Sequence, residues 1–154
     1  MDAPDSSALP EYLKMMKLNK VTDLVRTCEL TYTERNIAEA GITIHAMKFT
    51  DGAEPPTKIT RKWLLLIKKV FQIQRGVIHK TDCAIAVHCL AGLGRSPLLV
   101  CIALIEFGLR PIEAVKYVRK KLPNALTKDQ VSFLCKYKLE GTLSRRGCEM
   151  CTIF

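Results

Sequence analysis

Short apolar runs alternate along the chain with longer segments of helical periodicity. Three runs have the length and composition of buried strands, at residues 21–28, 42–49 and 83–88. Apolar positions at three- and four-residue spacing, with helix-starting residues before them, predict helices at about 10–19, 32–40, 63–73, 97–107, 111–122 and 127–137. Strands that alternate with helices in this way predict an α/β domain with a parallel sheet.

The length and composition fit a single unit. With 154 residues, 48% of them hydrophobic, the chain can form one domain with one core. We expect a flexible start at residues 1–8, the domain at 9–140, and a basic, flexible tail at 141–154. The sequence has no secretory signal and no apolar run long enough to cross a bilayer, which predicts a cytosolic origin. Its seven cysteines lack paired metal-ligand spacing, so we expect thiols, with Cys83, Cys101 and Cys135 in or near the core.

One loop carries the candidate chemistry. Cys89 follows a predicted buried strand, and Arg95 stands six positions later, where a helix begins. A lone cysteine in an apolar strand is usually inert, but this strand, loop and helix bring backbone N–H groups, a guanidinium and a helix N-terminus to one oxyanion. We therefore predict a nucleophilic thiolate at Cys89 beneath a phosphate-binding loop. The loop residues are Leu90, Ala91, Gly92, Leu93, Gly94 and Arg95.

The C-terminal half is basic and ends in a candidate lipid signal. The formal net charge is +9, and residues 110–150 carry ten Lys or Arg against four Asp or Glu. Such a charge run is usually a solvated face. The last four residues, Cys151 to Phe154, however, fit a prenylation signal, with terminal Phe favouring geranylgeranyl over farnesyl. One lipid anchors weakly, so the basic half or palmitoylation of Cys148 would supply the second membrane signal.

These motifs together resemble the phosphatases of regenerating liver, which are prenylated, dual-specificity-like tyrosine phosphatases of type IVA. The resemblance rests on residues 49–53, 86–95 and 103–106 and on the terminal box, and it extends from about residue 9 to the C-terminus. It implies a parallel-sheet cysteine phosphatase fold of the dual-specificity type that needs no metal or cofactor. In that chemistry Cys89 attacks phosphorus, Arg95 binds the phosphoryl oxygens and Asp51 protonates the leaving oxygen.

The chain departs from the family pattern at three places. Around the acid the family usually reads Trp-Pro-Phe-Asp-Asp-Gly, whereas this chain has a single carboxylate, Asp51, before Gly52. From composition alone Asp51 could also be a turn former. Ser96 replaces the alanine usual in animal members, and its hydroxyl could assist the departing thiolate, while we expect His88 to orient the loop. The family also begins with two further strands, so this chain is expected to leave one edge of the 83–88 strand unpaired.

The redox state of the thiols and the location of the protein are predicted partly from the residues themselves and partly from the family resemblance. Cys28 ends one predicted strand as Cys89 ends another, and neighbouring strand ends lie about 4.8 Å apart, within disulfide reach. An inert core thiol at Cys28 fits equally well, while the resemblance implies the disulfide. The resemblance also implies a location on the cytoplasmic face of the plasma membrane and endosomes, with the unprenylated form cytosolic or nuclear.

Three function classes are considered. The first is a membrane-associated phosphatase that acts on phosphotyrosine proteins, with phosphoserine, phosphothreonine or phosphoinositide as further substrates, and not on nucleic acid. The alternative is a binding module that docks on magnesium-transport mediators of the CNNM type, which the resemblance implies. A rhodanese-like sulfur transferase would share the cysteine loop but neither Asp51 nor the lipid signal.

Overall fold

All three predicted strands pair in one parallel sheet. The computed structural model describes residues 1–143. The strands are β1 (Val21–Arg26), β2 (Thr43–Ala46) and β3 (Ala84–His88), and they lie in the order β2-β1-β3. The helices are α1 (Leu9–Leu18), α2 (Glu34–Glu39), α3 (Thr57–Val70), α4 (Arg95–Glu106), α5 (Pro111–Lys121) and α6 (Lys128–Lys136). The α/β fold with a parallel sheet is thus confirmed.

The sheet separates two apolar clusters because successive side chains of a strand point to opposite faces. Val25 and Val87 lie in the larger cluster with buried side chains of α3, α4, α5 and α6. Leu24 and Ala86 lie on the other face, in the smaller cluster with side chains of α1 and α2. The domain therefore has three layers, and the carboxyl ends of β1 and β3 meet at one edge, where ligands bind in open α/β sheets.

Several predicted elements are shorter than expected, because residues at their ends serve the loops. β1 ends at Arg26 rather than Cys28, although Thr27 N–H still donates to His88 O at 3.0 Å. α2 begins at Glu34 rather than near Tyr32, whose hydroxyl contacts the ring of His88. α6 begins as predicted, with a capping box between Thr127 and Gln130.

Helix α4 is buried on nearly all sides, and its two ends have different tasks. Arg95 begins it at the predicted loop, two residues earlier than the expected start at position 97. At the other end the fully buried Glu106 accepts hydrogen bonds from the Tyr137 hydroxyl at 2.9 Å and from the Glu140 N–H at 2.6 Å. Glu106 therefore fixes the chain that follows α6 to the end of α4.

Three smaller expectations meet a different arrangement. Cys135 is exposed on α6, so the prediction that it lies near the core is wrong, whereas Cys83 and Cys101 are buried. Leu143 is buried against the larger cluster although it belongs to the predicted tail. Residues 1–8 were expected to be flexible, yet the main chain of Met1 is hydrogen-bonded to the end of β3. Among the described residues, no helix is long and apolar enough to cross a membrane.

Candidate active site

The loop between β3 and α4 wraps around the sulfur of Cys89. The side chain is 2% exposed, and backbone N–H groups of Ser96, Gly94 and Gly92 donate to the sulfur. The Ser96 hydroxyl lies 3.4 Å from it. Burial alone would raise the pKa of the Cys89 thiol, but the hydroxyl and these N–H groups outweigh burial and lower the pKa below its ordinary value. The loop therefore favours the thiolate, which is the nucleophilic form.

Arg95 is buried at the start of α4 and is held from two sides. Its Nη1 donates to Thr27 O at the end of β1, at 3.2 Å, and to Phe49 O after β2, at 3.4 Å. Within residues 1–143 its buried Nε has no hydrogen-bond partner. These two carbonyls fix the plane of the guanidinium, so that its fork is preorganised for an oxyanion.

Asp51 reaches Arg95 from an exposed loop. Its Oδ1 lies 3.2 Å from Nε of Arg95, an ion-pair distance without the alignment of a hydrogen bond. The same oxygen accepts the N–H of Gly52 at 3.1 Å, and Gly52 has φ +75. Asp51 is therefore both the turn residue and a carboxylate at the mouth of the loop, and the two interpretations are compatible.

His88 is fully buried beneath the loop as a neutral ring. Burial lowers its pKa to about 4. Its Nδ1 lies 3.3 Å from Cys89 O, and its Nε2 lies 2.7 Å from the Tyr32 hydroxyl. Because a carbonyl can only accept, Nδ1 carries the proton and Nε2 accepts the O–H of Tyr32. The pKa of Tyr32 is in turn raised by burial to about 12, so it stays a donor. The sequence pattern did not single out Tyr32.

Cys28 lies next to this network. Its sulfur is 3.8 Å from Nδ1 of His88, and both Cys28 and Cys89 are free thiols. Burial raises the pKa of Cys28, and the opposing charge of Arg95 does not offset it. Strands β1 and β3 are neighbours, which was the condition for pairing of the two cysteines. The disulfide itself stays a prediction.

Gln130 is a polar group of the site that its sequence motif conceals. It is 2% exposed, and its Oε1 accepts the N–H of Thr127 in the capping box. Its Nε2 is buried without a hydrogen-bond partner among the described residues. A Cβ on Gly94 would lie 3.4 Å from this nitrogen and 3.4 Å from Asp51 Oδ1. The Gln130 amide and the Asp51 carboxylate thus approach the loop at the same point.

The remaining predicted residues lie elsewhere. Cys148 and Cys151, the candidate lipidation sites, fall outside the described residues, so these assignments stay predictions. Within residues 1–143 no group of three or more His, Cys, Asp or Glu side chains could hold a metal ion.

Comparison with known proteins identifies the family. No protein-family model matches the chain. It is 41% identical over 149 residues to a probable protein tyrosine phosphatase type IVA B of Dictyostelium discoideum, covering 97% of this chain and 86% of that protein. It is 37% identical over 146 residues to the PRL-1 phosphatase of Drosophila melanogaster, covering 95% and 80%. The chain belongs to the phosphatases of regenerating liver.

Solved structures agree with this assignment. A protein tyrosine phosphatase from Leishmania major shares 37% identity with a TM-score of 0.78, over 90% of this chain and 85% of that one. PTPMT1 in complex with PI(5)P, at 18% identity and a TM-score of 0.67, over 88% and 85%, shares the fold. As a member of the type IVA family, the protein is a cysteine-dependent protein tyrosine phosphatase.

Proposed function

We propose that this phosphatase acts on phosphotyrosine proteins through a phosphocysteine intermediate on Cys89. One observation carries the proposal: a buried thiol of lowered pKa accepts several loop N–H groups, on the loop that ends in the buried Arg95. Such a site stabilises a sulfur anion before substrate arrives, and the same loop can bind the oxygens of a phosphoryl group. Asp51 stands at the mouth of this loop, where a leaving oxygen would emerge.

In the first step the Cys89 thiolate attacks phosphorus in line with the ester oxygen. The S–P bond forms as the P–O bond to the substrate breaks, and protonated Asp51 gives its proton to the departing oxygen. The negative charge that spreads over the equatorial oxygens is met by loop N–H groups and by Arg95. The alcohol or phenol leaves, and Asp51 is left as a carboxylate.

In the second step water attacks the phosphocysteine. The Asp51 carboxylate takes a proton from the water as its oxygen bonds to phosphorus, and the S–P bond breaks to give inorganic phosphate and the thiolate. The Ser96 hydroxyl, 3.4 Å from the sulfur, can donate to the thiolate as its charge returns. Neutral His88, held by Tyr32, keeps the peptide of Cys89 in place.

The test uses two pairs of variants on an aryl phosphate. Cys89→Ser and Arg95→Ala should each lower kcat/KM by at least about a thousandfold. The matched controls are Cys135→Ser, an exposed thiol, and Arg35→Ala, whose guanidinium pairs with Glu39 on α2 and with no other carboxylate of residues 1–143. Both controls should keep the wild-type rate. Equal rates in Cys89→Ser and wild type would refute the mechanism.

We also propose membrane attachment through Cys151, with Cys148 or the basic half as the second signal. The support is the terminal sequence and the excess of basic residues at 110–150. The lipid would place the phosphatase on the cytoplasmic face of the plasma membrane and endosomes. Cys151→Ser should move the protein from the membrane to the cytosolic and nuclear fractions of cells, and an unchanged distribution would contradict the proposal.

Phosphoinositide is a second candidate substrate at the same site. The observation that favours it is the relative of the same fold, PTPMT1, solved in complex with PI(5)P. Purified protein should be offered a phosphotyrosine peptide and a phosphoinositide in mixed vesicles at equal concentration. A higher kcat/KM on the peptide supports the first assignment, and a higher value on the lipid replaces it.

Oxidation of Cys28 and Cys89 to a disulfide is the proposed redox control. Its support is the neighbouring position of β1 and β3, together with the contacts that His88 Nδ1 makes with the Cys28 sulfur and with the backbone carbonyl of Cys89. Mild peroxide should inactivate the wild type reversibly, with the activity restored by a thiol reductant. Cys28→Ser should be inactivated without such recovery.

Docking without turnover is the competing proposal for this surface. Two loop leucines, Leu90 and Leu93, are 59% and 41% exposed, and exposed apolar groups on a phosphate-binding loop favour contact with a protein surface. A CNNM-type magnesium-transport mediator is the partner that the family resemblance implies. Leu90→Asp would abolish binding to that partner under this proposal. Full turnover on phosphopeptides without any binding would exclude it.

A further inference from the structure

The first four residues lie against the edge of β3 that no other strand of residues 1–143 covers. The amino group of Met1 donates to Val87 O at 2.9 Å, and the N–H of Cys89 donates to Met1 O at 3.4 Å. These two bonds flank His88 on the side away from β1, which is the bonding pattern of a parallel strand pair. We call Met1–Pro4 the N-terminal strap. It extends the sheet by one residue, at the point where β3 becomes the phosphate-binding loop.

The strap also touches the loop beyond Cys89. The Ala3 N–H donates to Leu90 O at 3.0 Å, and the Ser96 hydroxyl lies 3.4 Å from Met1 O. A Cβ on Gly92 would lie only 2.6 Å from the backbone nitrogen of Asp2. Gly92, at φ +74, therefore serves both the turn of the loop and its close packing against the strap.

Two side chains outside the loop fasten the strap. The Tyr12 hydroxyl on α1 donates to Asp2 Oδ1 at 2.6 Å. The Thr31 hydroxyl, between β1 and α2, donates to Pro4 O at 2.9 Å. Because neither side chain makes a hydrogen bond to the phosphate-binding loop, their removal would loosen the strap while it leaves the loop sequence intact.

We propose that the N-terminal strap is a positioning element of the phosphate-binding loop. Its Met1 carbonyl holds the N–H of the nucleophile Cys89 and borders the hydroxyl of Ser96, and its Ala3 N–H holds the first carbonyl of the loop. The strap thereby fixes the loop in the conformation whose N–H groups face the sulfur. If the strap is loosened, the loop must become ordered when the oxyanion binds, and this ordering weakens the affinity for the oxyanion. This inference rests on the proposed function of the same loop.

The experiment measures oxyanion affinity with orthovanadate, a phosphate analogue, beside aryl-phosphate turnover. The combined variant Tyr12→Phe, Thr31→Val removes both fastening hydroxyls. Two lost hydrogen bonds predict an inhibition constant for vanadate about five- to tenfold higher than in the wild type, with a similar fall in kcat/KM. The matched control is Ser7→Ala, which removes an exposed hydroxyl that lies outside the strap and, among the described residues, bonds only Asp5. The control should keep the wild-type constants.

Amide hydrogen exchange at Ala3 and Cys89 reports whether the strap is loosened. Faster exchange with weaker vanadate binding supports the proposal, whereas faster exchange with unchanged vanadate binding overturns it. If exchange in the variant stays slow, the same measurements are made on a chain without residues 1–4. Weaker vanadate binding by that chain supports the proposal, and unchanged binding overturns it. A merely structural role would lower Tm and leave the vanadate constant of the folded protein unchanged. Should the wild type itself neither bind vanadate nor hydrolyse the ester, the proposed function fails rather than the role of the strap.

Discussion

The two sides of the site are built in opposite ways. Cys89 and Arg95 are buried, at 2% and 8% exposure, and several elements hold them. The side chain of Asp51 is 69% exposed, on a loop whose turn is closed by its own carboxylate. Donors that stabilise transition-state charge act best when they are fixed beforehand. A proton donor for leaving groups of different shapes gains from an open position. The contrast therefore separates a preorganised oxyanion site from an accessible acid.

The strongest test of the buried side is Arg95→Lys. Lysine keeps the positive charge but loses the planar fork that the carbonyls of Thr27 and Phe49 orient. We expect kcat/KM on an aryl phosphate to fall by about 10²- to 10³-fold. Steady-state kinetics on folded protein, verified by its unfolding midpoint, provide the measurement. A lysine variant within threefold of wild type would mean that charge alone suffices and that preorganisation has no part.

The exposed side is tested by Asp51→Asn, which keeps the size and the turn-forming carbonyl. We expect about a 10²-fold loss of kcat on an alkyl phosphate, whose leaving oxygen needs a proton, and a smaller loss on p-nitrophenyl phosphate. The ratio between the two substrates is the informative quantity. Equal losses on both substrates would assign Asp51 to the turn and not to proton transfer.

Ser96→Ala probes the boundary between thiol and loop. The Ser96 hydroxyl is the largest of the contacts that lower the pKa of Cys89. In the wild type the thiolate persists below the ordinary thiol pKa, so the variant should need a higher pH before its activity appears. We also expect phosphoenzyme breakdown to slow by about tenfold, because the hydrogen bond from the Ser96 hydroxyl to the charged sulfur is lost. Rapid-quench measurement of the burst separates this step, and an unshifted pH profile would contradict the assignment.

The last test concerns stability rather than turnover, at the buried ring of His88 under the loop. His88 has a pKa of about 4 when folded, against 6.5 in an open chain, so the unfolded state takes up a proton between these values while the folded state does not. Stability should fall as pH drops from about 6.5 to 4, by up to about 3 kcal/mol. Urea unfolding at several pH values measures this.

Tyr32→Phe should cost about 1–3 kcal/mol at neutral pH, because Nε2 of His88 loses its donor. His88→Asn should flatten the fall between pH 6.5 and 4, whereas the exposed His79→Asn should leave it unchanged. A slope that persists in His88→Asn would assign the pH dependence to other groups.

Periodicity and spacing predict what depends on side chains. The buried runs of β1, β2 and β3 have the composition of core strands, and the Cys89–Arg95 spacing fixes the loop. Main-chain hydrogen bonds do not depend on residue type and so leave no pattern in the sequence. For this reason residues 1–4 are interpreted from the sequence only as a polar start, although they bond to β3. Gln130 shows the same limit in another form. The capping box explains the hydrogen bond of its Oε1. The position of its Nε2 beside the phosphate-binding loop follows only from the folded structure.

Glu106 fixes the course of the chain that follows α6. It binds Tyr137 and Glu140 at the end of α4 opposite to Arg95, and the 12 residues of α4 span about 18 Å. From the buried Leu143 to Cys151 an extended chain reaches at most about 28 Å. A lipid on Cys151 would therefore tether the domain to the bilayer through a short segment. The active site would then reach only phosphates within a few nanometres of the bilayer. A flexible linker inserted into this segment would increase the distance from the bilayer at which substrates are reached, without changing any residue of the site.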